Sequence, residues 1–239
     1  MSVVLITGAS SGIGLATTRI MSATGSEIVG ISRSGRENTH QADLTSEAGC
    51  QEAVDIARVH GPIRALVLSA GVGSTEERGV GEQSTKVWRE SMVLNLDAPF
   101  FLIRAAWEDL KQSGEGRIVL VSSTAASFGA PEITAYSAAK AGLLGLMRGT
   151  AQDGAPFGIT CNAVSPGWVR TEMSEASAAA ESKRTGKTTD EIWTARAAGY
   201  AAGRTIEPDE VGHTIAFLAS RESSGVSGED IRVALGDAW

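Results

Sequence analysis

Short apolar runs, several of them apolar at every position rather than every second one, recur along this chain with longer helical patterns between them. They fall at residues 3–6, 27–31, 65–68, 117–121, 160–164 and 230–233. A strand that is apolar on both faces must be covered on both faces, as in a parallel sheet with helices above and below. Apolar positions at helical spacing mark 12–24, 44–59, 85–112, 135–154 and 209–220 as the covering helices. The last follows Glu207-Pro208, where Asp209 and Glu210 favour a helix N-terminus. This alternation predicts right-handed βαβ crossovers and a doubly wound parallel α/β sheet. No repeat, Pro-rich linker or charge block divides the chain, so residues 1–239 are expected to form a single domain. One stretch, 172–205, breaks the rhythm after Pro166-Gly167. It is rich in Ala, Ser, Lys and Arg and is expected to form one or two short helices covering a site.

Composition narrows the function. With 21 basic and 28 acidic residues the net charge is −7, and no basic stripe is visible, so neither nucleic acid nor an anionic membrane is an expected partner. Cys50 and Cys161 match no metal-ligand spacing and are expected to be buried, reduced thiols. His40, His60 and His213 are scattered, so neither a metal site nor a Ser–His–Asp nucleophile is expected. The run Val3-Val4-Leu5-Ile6 lacks a basic flank and is too short for a signal peptide or a membrane span. A soluble, cytoplasmic protein is the expectation.

The first strand runs into Thr7-Gly8-Ala9-Ser10-Ser11-Gly12-Ile13-Gly14, and a helix follows. Glycines there let the backbone turn tightly and approach a pyrophosphate without Cβ clashes, while the helix start offers unpaired N–H groups. No Lys-Ser/Thr pair follows the last glycine, which argues against a nucleotide-triphosphatase loop. The spacing Gly-x3-Gly-x-Gly resembles that of the short-chain dehydrogenase/reductase family, and the resemblance extends over nearly the whole chain. It implies a Rossmann fold and a nicotinamide cofactor held by Gly8, Ser10, Ser11, Gly12, Ile13 and Gly14.

At the end of a second strand, a dinucleotide-binding unit meets the adenosine ribose, where an acid would repel a 2′-phosphate. This chain has Ser32-Arg33-Ser34 there, with Arg36 close by and no acid. A guanidinium can hold a phosphate bidentately. NADP(H) is therefore expected over NAD(H), with Ser32, Arg33 and Arg36 at the phosphate. Ser11 occupies a loop position where many NADP-using relatives carry a basic residue. Asp43-Leu44, after a third strand-like stretch, resembles the family's adenine contact. In Ser69-Ala70-Gly71, where relatives usually have Asn-Ala-Gly, the small Ala70 and Gly71 let a cofactor lie close.

Twelve residues separate Ser123, at the end of a strand, from Tyr136, and Lys140 follows at i+4. Residues i and i+4 share a helix face, so phenol and ammonium can reach one cavity. A nearby ammonium lowers a phenol's pKa, which suits the phenol to proton exchange. Ser123 can hydrogen-bond a substrate oxygen. These three resemble the family's Ser–Tyr–Lys triad, in which the lysine also bonds the nicotinamide ribose. The resemblance assigns Asn95, in Leu94-Asn95-Leu96, to the fourth place, on a bent helix that holds a water for proton relay. It also implies that Pro166, Gly167, Val169 and Thr171 hold the nicotinamide, Val169 by its backbone and Thr171 by its hydroxyl, with transfer of the pro-S hydride.

The activity so implied is interconversion of a ketone, or a β-ketoacyl group, and a secondary alcohol. Imine reduction, epimerisation, dehydration and a non-catalytic NADP-binding sensor are the alternatives. The segment expected to meet substrate has Lys183, Arg184, Lys187, Arg196 and Arg204, which suits a small polar or carrier-bound carbonyl compound. Relatives usually form tetramers, so a homotetramer or homodimer is expected, although the tail Gly236-Asp237-Ala238-Trp239 departs from the usual Asp-Gly-Gly ending.

Overall fold

The structure is a computed structural model that describes residues 2–74 and 78–236; Asp237, Ala238 and Trp239 of the atypical tail lie outside the described residues. Seven strands form one parallel sheet in the order β3-β2-β1-β4-β5-β6-β7. They are β1 (Val3–Thr7), β2 (Glu27–Ser32), β3 (His40–Gln41), β4 (Ile63–Leu68), β5 (Arg117–Val121), β6 (Thr160–Pro166) and β7 (Asp230–Val233). The doubly wound Rossmann sheet is thus present. The third strand-like stretch is a two-residue strand at the sheet edge.

Alternate side chains of each strand feed opposite layers. Leu5, Leu66, Leu68, Ile118 and Leu120 pack with α2 (Glu47–His60), α4 (Ala98–Ala105), α5 (Trp107–Ser113) and α6 (Thr134–Gly154). On the other face, Val4, Ile6, Val67 and Val119 pack with α1 (Gly12–Ala23) and α9 (Pro208–Leu218). Both cysteines are buried, as expected.

The chain builds β1 to β3 in one direction, then returns to place β4 on the other side of β1, so the strand order reverses between them. Ligands of open α/β sheets bind at this reversal, beyond the strand C-terminal ends. Register places those ends at one level: Thr7 pairs with Leu68, Leu68 with Leu120, and Val121 with Val164.

Two helices differ from expectation. The stretch 85–112 is not continuous: α3 (Thr85–Met92) passes through a π turn, Val93–Asp97, into α4, and a further break at Ala106 begins α5. Pro99 has no N–H, so the ordinary helical bond back to the Asn95 carbonyl cannot form. Helix α2 starts at Glu47 rather than 44. Asp43 accepts from the Thr45 N–H (3.0 Å) and hydroxyl (2.8 Å), and Ser46 then caps the helix by accepting from Gly49 N–H at 3.1 Å. The stretch 172–205 forms α7 (Glu172–Thr185) and α8 (Thr189–Ala198), with Ala178, Ile192 and Trp193 as a small core of their own. Among the described residues, no helix is long and apolar enough to cross a membrane.

The outer strand β7 is secured by Asn162, fully buried on β6. Its Nδ2 donates to the Val226 carbonyl at 2.8 Å and its Oδ1 accepts from Glu229 N–H at 3.1 Å. Truncation leaves two backbone groups without partners, so Asn162→Ala should lower the free energy of unfolding by about 2–4 kcal/mol, measured by urea denaturation.

Candidate active site

Gly8 and Gly12 adopt left-handed backbone, with φ of 68° and 50°, and a Cβ at Gly14 would run into the Gly8 carbonyl. Ser11 stands at the N-cap of α1 with extended backbone and no side-chain capping bond. The first N–H groups of a 12-residue helix therefore face the strand ends without a local acceptor. Ser10, Ser11 and Ile13 are half-buried beside this opening. A Cβ on Gly12 would lie 3.1 Å from Cγ2 of Thr171, so the far wall of the cleft meets the loop here.

At the end of β2 the predicted phosphate group divides. Ser32 is buried, and its hydroxyl is held by Thr39 (2.6 Å) and by the Gly35 N–H (2.9 Å), so it shapes the loop. Arg33 and Arg36 are exposed, with Arg36 Nε donating to Ser34 at 3.3 Å. Asp43 is exposed and Leu44 buried behind it. The hydrogen bonds from Thr45, backbone first, hold the Asp43 carboxyl below its usual pKa, and the Arg33 charge adds to this.

Beyond β4, Ala70 N–H donates to the buried Thr7 hydroxyl at 3.1 Å, tying the loop to β1. Asn95, in the π turn, is buried and bonds both backbone groups of Val72: its Oδ1 accepts from the N–H (3.1 Å) and its Nδ2 donates to the carbonyl (2.9 Å). The Asn95 carboxamide thus holds the loop to the π turn. A Cβ on Gly71 would stand 2.7 Å from Asn95 Oδ1 and 3.6 Å from Lys140 Nζ, so only glycine fits between these two groups.

The remaining three predicted residues converge at the end of β5. Ser122 is buried and donates to the Lys140 carbonyl at 3.3 Å. Ser123 accepts from Ala125 N–H at 3.1 Å and, unlike Ser122, stands close enough to Tyr136 to lower its pKa. Lys140 Nζ donates to the Val121 carbonyl at 2.8 Å and lies 5.7 Å from the centre of the Tyr136 ring. The electrostatics differ from the expectation that the ammonium lowers the phenol. Burial raises the Tyr136 pKa, Ser123 partly offsets this, and burial brings Lys140 down to about 8. Tyr136 is accordingly a neutral phenol at neutral pH, and Lys140 is an ammonium within reach of deprotonation.

On the opposite wall, Gly167 leaves room for Tyr200, whose hydroxyl accepts from Trp168 N–H at 2.5 Å. Ile206 donates to the Trp168 carbonyl and accepts from Arg170 N–H, which directs the N–H and C=O of Val169 to the other edge, as a parallel bridge requires. The Thr171 hydroxyl caps α7 by accepting from Ser174 N–H at 3.3 Å. Met173 lies across the cleft against Gly73. Arg196 is not a substrate-facing cation. It is buried, with its guanidinium 3.7 Å from the Trp168 ring centre and 3.0 Å from Glu181. Arg204 pairs with Glu210 and Arg184 with Glu132. Trp193 is buried and bonds Glu175. The Tyr200 clamp and the Arg196 stack had no local sequence signal, because their partners lie 32 and 28 residues away. Among the described residues no group of three or more His, Cys, Asp or Glu is placed to hold a metal.

A sheet reversal, an uncapped glycine-rich helix start and a Ser–Tyr–Lys cluster thus meet at one edge of the sheet. A family model described as enoyl-(acyl carrier protein) reductase matches residues 8–236, and the chain belongs to the short-chain dehydrogenase/reductase family. It is 29% identical to the 3-oxoacyl-acyl-carrier-protein reductase of Vibrio cholerae, over 97% of this chain and 95% of that one. It is 33% identical to an acetoacetyl-CoA reductase of Rhizobium meliloti, over 96% and 95%. A variant of actinorhodin polyketide ketoreductase, solved with NADPH, superposes with a TM-score of 0.91 at 26% identity, covering 98% and 96%.

The buried Lys140 makes a stability prediction. Its folded pKa lies below its ordinary value of 10.5, so below about pH 8 the folded state carries a charge it disfavours. That penalty fades as pH rises from about 8 to 10.5, because the unfolded chain then holds the extra proton. Lys140→Met should therefore be more stable than the parent at pH 7, by on the order of 2 kcal/mol, with the advantage shrinking towards pH 10 in denaturant titrations.

Proposed function

We propose that the protein reduces a ketone or β-ketoacyl group to a secondary alcohol, using NADP(H), with Tyr136 as proton donor. The observation that carries this reading is the convergence at the end of β5 of Ser123, Tyr136 and the buried Lys140, whose Nζ donates to the Val121 carbonyl and lies 5.7 Å from the phenol ring centre. Ser123 and the Tyr136 phenol both donate to the carbonyl oxygen, and the phenol proton moves to that oxygen as negative charge develops on it. Lys140, lowered to about 8, can return a proton to Tyr136 near neutral pH. Tyr136 is protonated at neutral pH, as a proton donor in carbonyl reduction must be. The relatives named as 3-oxoacyl, acetoacetyl-CoA and polyketide ketoreductases support ketone reduction over imine reduction, epimerisation, dehydration or cofactor sensing.

The residues present fit the cofactor. The free N–H groups at the start of α1 suit a pyrophosphate, and Gly71 leaves space above Asn95 and Lys140. When bound, the nicotinamide supplies the hydride. Arg33 and Arg36 would hold the 2′-phosphate, Asp43 and Leu44 would flank the adenine beside Ala70 and Gly71, and the Pro166–Gly167 turn, Val169 and Thr171 would orient the carboxamide. Helices α7 and α8 would cover the substrate. The exposed Lys183 and Lys187 near their junction suit a carrier-bound or otherwise anionic substrate. The reductase relatives, named for acyl-carrier and CoA-linked substrates, support that class. We also propose a cytoplasmic homotetramer or homodimer, as one domain per chain, with the exposed Trp88 of α3 and Phe100 of α4 at the contact; light scattering at monomer mass would reject it.

Two measurements test the activity. Tyr136→Phe should lower kcat for reduction of an acetoacetyl thioester by roughly 10²–10⁴-fold while NADPH binding, read by fluorescence titration, stays near that of the parent. Unchanged turnover would refute the proton-donor role. Initial rates should favour NADPH over NADH, and Arg33→Asp should narrow or reverse the preference. A parent enzyme that prefers NADH would reject the 2′-phosphate site.

A further inference from the structure

The first turn of α6 carries Tyr136 yet has no cap of its own. Ile133 occupies the N-cap position with φ −120° and a side chain that cannot accept a hydrogen bond. Its carbonyl receives the Ser137 N–H at 2.9 Å, which leaves the N–H groups of Thr134, Ala135 and Tyr136 beyond intrahelical reach. One of them is met from outside. Ala135 N–H donates to Oε1 of Gln83, 3.2 Å away and 52 residues earlier in the chain. Gln83 is fixed on both sides: its own N–H donates to the Gly79 carbonyl at 3.0 Å, and the adjacent Ser84 caps α3 by accepting from Val87 N–H at 3.3 Å.

We propose that Gln83 is a positioning residue for Tyr136, capping the helix that carries the phenol and setting the field at its first turn. Ala135 is the second helical residue and Tyr136 the third, the positions an N-cap side chain ordinarily serves. A non-local cap has a consequence a local one lacks. It ties the orientation of the phenol to the start of α3, the same helix that runs into the π turn holding Asn95. Both ends of α3 thereby touch the site, Gln83 at the phenol and Asn95 at the Val72 loop. The Gln83 amide oxygen also presents the negative end of its dipole to the positive end of α6.

The inference rests on Tyr136 as the working acid–base, but its test needs no turnover. The chain contains two tyrosines, Tyr136 and Tyr200. Uniform replacement by 3-fluorotyrosine, whose phenol ionises at lower pH than that of tyrosine, gives two fluorine NMR signals, assigned with Tyr200→Phe. Gln83→Glu keeps an acceptor for Ala135 N–H and adds a full negative charge, so the Tyr136 titration midpoint should rise by about half a pH unit. Gln83→Leu removes the acceptor dipole and leaves the Ala135 N–H free at the first turn, which favours the phenolate, so the midpoint should fall. The Tyr200 signal should stay unchanged in both. A Tyr136 midpoint equal to the parent's in both variants, or one that moves in step with Tyr200, would overturn the proposal. Should Gln83→Leu fail to fold, Gln83→Glu alone decides. Failure of the parent to reduce any carbonyl compound would instead refute the proposed function and leave this titration to stand.

Discussion

A lysine ammonium buried with a backbone carbonyl as its hydrogen-bond partner is the constraint on which this molecule depends. Lys140 reaches from α6 to the Val121 carbonyl at the end of β5, and no carboxylate among the described residues pairs with it. Burying an unpaired charge is costly, so the surrounding fold must hold it in place. The Ser122 bond to the Lys140 carbonyl fixes the same helix to the same strand from the other side. The large apolar layer containing Leu143 and Met147 anchors the rest of α6. The site thus stores an unfavourable group inside a favourable scaffold, a common relation between function and stability.

The parallel sheet makes this possible by ending β1, β4, β5 and β6 at one edge. Each end supplies a different part: the glycine loop, the Ser69–Val72 loop, Ser122-Ser123, and the Pro166–Gly167 turn. No helix or strand carries the whole site, and the parts are joined by side chains that serve backbone groups elsewhere. Thr7 holds Ala70, Asn95 holds Val72, Gln83 holds Ala135 and Tyr200 holds Trp168. These four side chains tie the cleft walls together.

What could be read from the sequence was whatever has a local pattern. Strands apolar on both faces, the glycines and the i, i+4 pair of Tyr136 and Lys140 are all visible within a few residues of one another, and the parallel sheet forms as expected. Long-range partners were not visible. The helix expected at 85–112 breaks because Pro99 withholds one N–H and the chain settles into a π turn, a local defect that hydrophobic periodicity does not register. Arg196 reads as a surface cation until Trp168 and Glu181 enclose it. The hydroxyl of Ser32 bonds Thr39, seven residues on, a partner that the strand pattern does not announce. The environment of Tyr136 is likewise set beyond its own helix turn. Lys140 is near in sequence, but burial, a property of the whole fold, outweighs it.

In the proposed reaction this edge would hold a nicotinamide with one face turned to a carbonyl beside Tyr136. Its most direct test is the stereochemistry of transfer. NADPH carrying deuterium in the pro-S position at C4 should deliver it to the carbinol carbon of the alcohol product, as read by mass spectrometry. Deuterium retained in the oxidised cofactor, with an unlabelled product, would contradict the account.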